Sequence, residues 1–144
     1  GAEYDHVTNL QGTRRLQGTW RGNWEKNRDN KSDAILHIAH VDDTTIVAAG
    51  KVDGWSCWEI FLGKIEGNKV FLKGITVLEN QRPASEYVLD ELYLKLSEVG
   101  LRIEGGWTDP EGSSGKVEYR FFSMEDSMDK NIWQVLKEKK NFKK

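Results

Sequence analysis

Polar and apolar residues alternate along most of this chain, and turn-forming residues interrupt the alternation at short intervals. Side chains on a strand point alternately to its two faces, so period-two runs of this kind predict half-buried strands. Eight runs are expected as strands: 16–26, 34–41, 44–52, 55–65, 69–78, 87–97, 101–108 and 116–123. Between them lie the polar loop 27–33, Asp42-Asp43, Asp53-Gly54, Gly67-Asn68, a loop over 79–86 that carries Pro83, and Asp109-Pro110-Glu111-Gly112. These are residues that turns favour, and Gly67-Asn68 suits the positive φ of a tight hairpin. Short connections make consecutive strands antiparallel neighbours. Closing the sheet on itself removes the exposed edges that invite aggregation. The expected fold is all-β, an eight-stranded antiparallel up-and-down barrel.

Past the last strand the period changes. Ile132, Val135 and Leu136 fall at helical spacing with Trp133 beside them, which predicts a short C-terminal α-helix packed on the barrel wall. Residues 1–15 are polar and aperiodic. The expected organisation is a lead-in over 1–15 lying along the surface, a barrel domain over 16–123, and a helix with a basic tail over 124–144.

Inside the first strand, Leu16, Gly18, Trp20, Gly22 and Trp24 share one face, and Gln17, Thr19, Arg21, Asn23 and Glu25 share the other. Small residues beside large ones let a strand coil sharply and make room for bulky rings. Leu101, Ile103, Gly105 and Trp107 repeat the device. Trp20 and Trp107 each follow a same-face glycine by two positions and are expected to close one barrel end. Trp24, Trp55 and Trp58 lie near strand ends or a turn and are expected to line the other, open end.

Gly18-Thr19-Trp20 resembles the Gly-x-Trp signature of the lipocalins and the wider calycin superfamily, and avidin-type barrels open on a similar Gly-Thr-Trp. The resemblance implies a barrel over roughly 16–123 that holds a small ligand. In lipocalins an arginine on or after the last strand packs over that tryptophan. Arg120 is the nearest match, although its parity with Glu118 directs it outward. The lipocalin Thr-Asp-Tyr turn has no counterpart, and a lone Cys57 excludes the lipocalin disulfides.

Composition narrows the class. The 144 residues suit one domain with a single core, and 38% hydrophobic and 31% charged residues are ordinary for a globular chain. Fourteen glycines against two prolines suit many strands and tight turns. A net charge of -2 argues against general nucleic-acid binding, which needs a basic field over the phosphates. No apolar run approaches the roughly 20 residues of a membrane helix, so no membrane segment is expected within this chain. A single cysteine favours a reducing compartment, and a cytoplasmic protein or the cytoplasmic domain of a larger one is expected. The sequence opens Gly1-Ala2 without a methionine, which leaves room for a targeting or membrane segment ahead of it.

Two acids fall on faces that otherwise read as apolar. Asp90 shares parity with Val88, Leu92, Leu94 and Leu96; Glu59 shares parity with Cys57, Phe61 and Ile65. An acid inside a barrel costs several kcal/mol unless it is paired or hydrogen-bonded, and the donor groups of a ligand would be one reason for its presence. Alternatively Trp58, Ile60 and Leu62 form the inward face of that strand and Glu59 stands in solvent. Glu59, Asp90 and Glu91 would form a paired-carboxylate site if they met across the barrel. His37 and His40 would share a metal on a helix, but on a strand they point to opposite faces. Nucleophile elbows, phosphate-binding glycine loops and His-Glu-x-x-His helices are missing. The lysine-rich end KEKKNFKK suits a solvated helix terminus.

The expected function is therefore a non-enzymatic, small-ligand-binding barrel, with Trp24, Trp55, Trp58 and Asp90 as ligand contacts. Ligand, cofactor and oligomeric state stay open. The alternatives are a barrel that senses a cyclic-nucleotide second messenger within a longer, membrane-anchored defence protein, and a calycin-like isomerase or hydrolase using cavity carboxylates. A filled barrel serving as an interaction module is a further one.

Overall fold

A computed structural model describes residues 12–27, 30–78, 88–124, 134–136 and 138. Its strands are β1 (Gly18–Asn27), β2 (Asn30–His40), β3 (Thr45–Val52), β4 (Trp58–Glu66), β5 (Lys69–Leu78), β6 (Glu91–Leu96), β7 (Arg102–Thr108) and β8 (Ser114–Ser123). Each pairs with the next, and β8 returns to β1, so the sheet closes. All eight pairings are antiparallel. The expected all-β barrel is the fold. Residues 1–11, the loop with Pro83, Ile132, Trp133 and the lysines of the last residues lie outside the described residues.

The spacing of glycine and tryptophan in β1 has a steric cause. Trp20 pairs with Leu36 on one side and Phe121 on the other, and Gly22 with Ala34 and Tyr119. A Cβ on Gly22 would run into the Glu118 carbonyl of β8, and one on Gly105 into the Tyr93 carbonyl of β6. Only glycine permits these approaches, and the tight curvature they allow brings Trp20 fully inside.

The interior is filled by Trp20, Leu36, Phe61, Leu72, Ile103 and Tyr119, among others, all essentially inaccessible to solvent. One end is stoppered. Gly12–Leu16, expected to split between surface lead-in and strand, forms a 3-10 helix with Thr13 and Leu16 fully buried. The Leu16 carbonyl accepts a hydrogen bond from Trp20 Nε1 at 2.8 Å, and Phe121 meets the Trp20 ring edge-on at 5.5 Å. Thr13 N–H donates to the Asp43 carbonyl at 3.2 Å, tying the stopper to the β2–β3 turn.

A second apolar cluster lies on the outer wall of β2–β4. It joins Ala39, Val47, Ala49, Trp58 and Ile60 to Leu136, which is fully buried. Gln134, Val135, Leu136 and Glu138 are helical, so the C-terminal helix covers this wall as expected. Both faces of β3 and β4 are consequently buried, and these strands read as nearly continuous apolar runs.

Candidate functional site

The open end is built by late residues of upward-running strands. β1 and β7 run in the same direction, because each pairs antiparallel with β8. Trp24 in the last turns of β1 and Trp107 near the end of β7 therefore reach the same rim. The expectation that Trp107 closes the barrel beside Trp20 is corrected here. Height in a barrel is set by distance from the strand end, and a neighbouring glycine says nothing about it.

Three indoles meet at this rim. Trp24 stacks on Trp107 with ring centroids 5.2 Å apart at 26°, and Trp55 meets Trp24 edge-on at 5.2 Å and 75°. Such pairs contribute about 0.5–1.5 kcal/mol each beyond area burial. Trp55 is positioned by the β3–β4 turn, where its N–H donates to the Val52 carbonyl at 2.9 Å. Trp24 Nε1 donates to the Tyr119 hydroxyl at 2.5 Å. Burial first, then the charges of Glu59 and Asp90, push the Tyr119 phenol far above its ordinary range, while the Trp24 bond opposes them. Tyr119 is neutral and can accept that bond. Trp107 Nε1 is buried and has no hydrogen-bond partner among the described residues.

Below the rim stand two acids. Glu59 faces inward and is fully buried; Asp90 is 6% exposed. The register fixes the first, since Glu59 pairs with Gly50 and Phe61 with Ala48, both on the interior side. The alternative with Glu59 in solvent is thereby overturned. Its carboxylate has room because β5 bulges opposite Ile60/Phe61 and Gly74 falls beneath it; a Cβ there would collide with Glu59 Oε2. Asp90 N–H donates to Glu59 Oε2 at 2.7 Å, and Gly74 N–H donates to the Asp90 carbonyl at 2.8 Å. With its N–H turned to a side chain, Asp90 stands just ahead of β6, which begins at Glu91 rather than at 87.

Burial raises the Asp90 carboxyl above the usual carboxylate range; a hydrogen bond with the Glu59 side chain offsets part of this, and the charge of Asp109 adds to the rise. Glu59 and Asp90 stand together under the indole rim, joined by the Asp90 N–H bond to Glu59 Oε2. Glu91 does not join them. It stands on the outer face and accepts the Tyr93 hydroxyl at 2.8 Å.

Trp24, Trp55, Asp90 and Trp107 line one cavity of about 440 Å³ at this end, together with Lys26 and Asp109. A groove of about 700 Å³ shares Val52 and Trp55 with this cavity, and another of about 670 Å³ runs elsewhere. The larger is lined at the outer wall by Arg21, Asp33 and Lys51, and neither combines several indoles with a buried acid.

No family model matches the chain, and no curated protein matches it. Solved structures do. One is a redesigned beta barrel, b11L5F_LGL, with a TM-score of 0.61 at 16% identity over 81% of this chain and 99% of that one. Another is the redesigned beta barrel mFAP1 bound to DFHBI, with a TM-score of 0.58 at 14% identity over 78% and 100%. At such identities the likeness shows the fold, an eight-stranded barrel, and no family.

Of the residues picked out in the sequence, Trp24, Trp55 and Asp90 come together at the mouth. Trp58 does not. It sits on the outer wall, stacked on His37 at 5.5 Å and packed with the cluster that holds Leu136, because β4 buries both faces. His37 is bonded to Thr19 on that wall, whereas His40 bonds to Thr13 beside the stopper, so the two stand apart. Arg120 points outward to Glu118, and Phe121 takes the place over Trp20 that the lipocalin resemblance assigned to an arginine. Gly74, Tyr119 and the role of Trp107 went unread. The skip from Leu72 and Gly74 to Val77 on the interior face is the one sequence sign of the β5 bulge.

Proposed function

We propose that this chain is a non-enzymatic barrel that binds a small planar ligand at its open end, through Trp24, Trp55 and Asp90. One observation carries the reading: the cavity of about 440 Å³ where the indoles and a buried acid converge, at the end opposite the Leu16 stopper. Ligand sites are concave, mostly apolar and provided with few polar groups, and volumes of about 300–1,000 Å³ are usual. The complex of mFAP1 with DFHBI supports it at the level of fold, since that barrel binds a small molecule.

The test is a thermal-shift and tryptophan-quenching panel of planar dyes, lipids and nucleotides against the protein and Trp55→Ala. Trp55 is half-buried in a turn, so its loss leaves the barrel folded. A ligand at 100 times its Kd stabilises the native state by about 2.7 kcal/mol, which a melting curve resolves. At least one planar compound should quench and stabilise the parent protein, and the effect should fall sharply in Trp55→Ala. A panel that moves nothing, or a shift that Trp55→Ala leaves intact, overturns the mouth as the site.

A further inference from the structure

Asp90 is a buried acid at a mouth walled by indoles. It is 6% exposed and lines the cavity beside Trp24, Trp55 and Trp107. Among the described residues no basic side chain forms an ion pair with it. A carboxyl taken out of water is costly unless a counter-charge or hydrogen bonds compensate it. Both of its backbone groups are used, the N–H on Glu59 Oε2 at 2.7 Å and the carbonyl by the Gly74 N–H at 2.8 Å. Those two bonds fix the root of the side chain on the cavity wall.

The charge of the wall leans one way. Asp90 and Asp109 line the cavity, Glu59 stands behind Asp90, and Lys26 is the basic side chain among the described lining residues. The Asp109 carboxylate accepts the Glu111 and Ser113 N–H groups at 2.9 and 3.0 Å, so it supplies charge rather than a ligand contact. Lys26 is exposed, where water and salt screen it. A proton on the Glu59–Asp90 pair would still leave the acids ahead of the lysine, and no protonation state makes the wall positive.

The indoles favour the same sign. An aromatic ring carries negative charge on its face, and tryptophan is the best such partner for a cation. Trp55 crosses Trp24 at 75° with ring centroids 5.2 Å apart, which makes a corner, and Trp107 backs Trp24 at 26°. A cation in that corner lies within the roughly 6 Å over which a ring face attracts it.

Resting on the binding function proposed above, we propose that the mouth selects a flat aromatic cation, a heteroaromatic ring with a fixed positive charge. The ring lies against Trp24 and Trp55, and its charge serves as the counter-ion of Asp90.

The test uses the whole chain and three bicyclic probes of one outline: 2-methylisoquinolinium, 2-methylnaphthalene and 2-naphthoate, which are cationic, neutral and anionic. Calorimetry reads the affinities, and melting curves establish that each variant is folded. The cation should bind about ten-fold or more tighter than the neutral probe, and the anion should bind weakest. Asp90→Asn keeps the outline of the side chain and should lower that ratio several-fold while leaving the neutral probe unchanged. Lys26→Gln should strengthen the cation and weaken the anion. Should Asp90→Asn fail to fold, Asp109→Asn keeps an acceptor for the turn and should lower the ratio in the same direction.

A neutral or anionic probe that binds as tightly as the cation overturns the ligand class. So does a cation preference that Asp90→Asn and Asp109→Asn both leave intact. If either occurs while binding still depends on Trp55, or if only other planar compounds bind, the class alone fails. If no probe binds and the wider panel is also silent, the binding function itself fails.

Discussion

Trp20, Trp24 and Trp107 are all nearly inaccessible to solvent, yet their indole N–H groups have three different fates. Trp20 donates to the Leu16 carbonyl at 2.8 Å, Trp24 to the Tyr119 hydroxyl at 2.5 Å, and Trp107 to none of the described residues. Replacing each by Phe removes the same atoms, so the cost of lost volume is similar and cancels in the comparison. In Trp20→Phe a buried carbonyl loses its donor, which costs about 1–3 kcal/mol; in Trp107→Phe an unpaired donor disappears, which returns about 1–3 kcal/mol. Trp20→Phe should therefore be less stable than Trp107→Phe by about 2–6 kcal/mol, with Trp24→Phe closer to Trp20→Phe. For a domain of this size each kcal/mol shifts Tm by roughly 2–4 °C, so the two melts should stand on the order of 10 °C apart. Urea unfolding followed by far-UV circular dichroism measures the difference without relying on the fluorophores being changed. Costs for Trp20→Phe and Trp107→Phe that agree within about 0.5 kcal/mol would refute the assignment of hydrogen bonds, and with it the unmet donor at the mouth.

Two further outcomes follow from the interior. Burial raises the Asp90 carboxyl, so the folded protein holds its proton more tightly than the unfolded chain does. That preference stabilises the fold fully below the ordinary carboxylate value and is lost as pH rises through the raised one. Measured relative to the parent, Asp90→Asn should gain in Tm as pH rises above about 4; a difference that stays flat or falls as pH rises contradicts the shift. Gly22→Ala forces a methyl group into the Glu118 carbonyl and must part β1 from β8, so it should cost at least about 1–3 kcal/mol in a urea titration. A cost below about 0.5 kcal/mol would show that the seam can relax.

The barrel was readable because its signals are local. Alternation in Trp20, Gly22 and Trp24 and turn chemistry such as Gly67-Asn68 each specify a strand or a hairpin without reference to distant residues. Parity failed where both faces are buried. Nothing in residues 58–62 distinguishes Trp58, Ile60 and Leu62 from an inward set, since the C-terminal helix covers the other wall and makes it equally apolar. Polar strand ends were also hidden. Lys31, Ser32 and Asp33 pair with Glu25, Trp24 and Asn23 beyond the core, where no alternation is needed. The mouth was half legible: Trp24 and Trp55 were found from their places near strand ends, whereas the height of Trp107 depends on strand length and direction. Glu59 meeting Asp90 depends on a bulge in a third strand, which no property of either acid announces.

The two ends of the barrel obey different rules. At the stopper three choices agree with folding: Leu16 is apolar and buried, Trp20 is buried with its N–H bonded, and Phe121 packs on it edge-on. Replacing any of them with something smaller can only remove contacts. At the mouth the choices conflict with folding. Glu59 and Asp90 place two carboxyls under an apolar rim, Gly74 gives up a side chain to make room for them, and Trp107 buries a donor unpaired. A chain selected for stability alone would do better with Gln and Asn at 59 and 90, which keep the outline of the core. Local choices that oppose the fold persist where something other than folding depends on them. Asp90 and Trp107 line the cavity at that end, with Glu59 bonded behind Asp90.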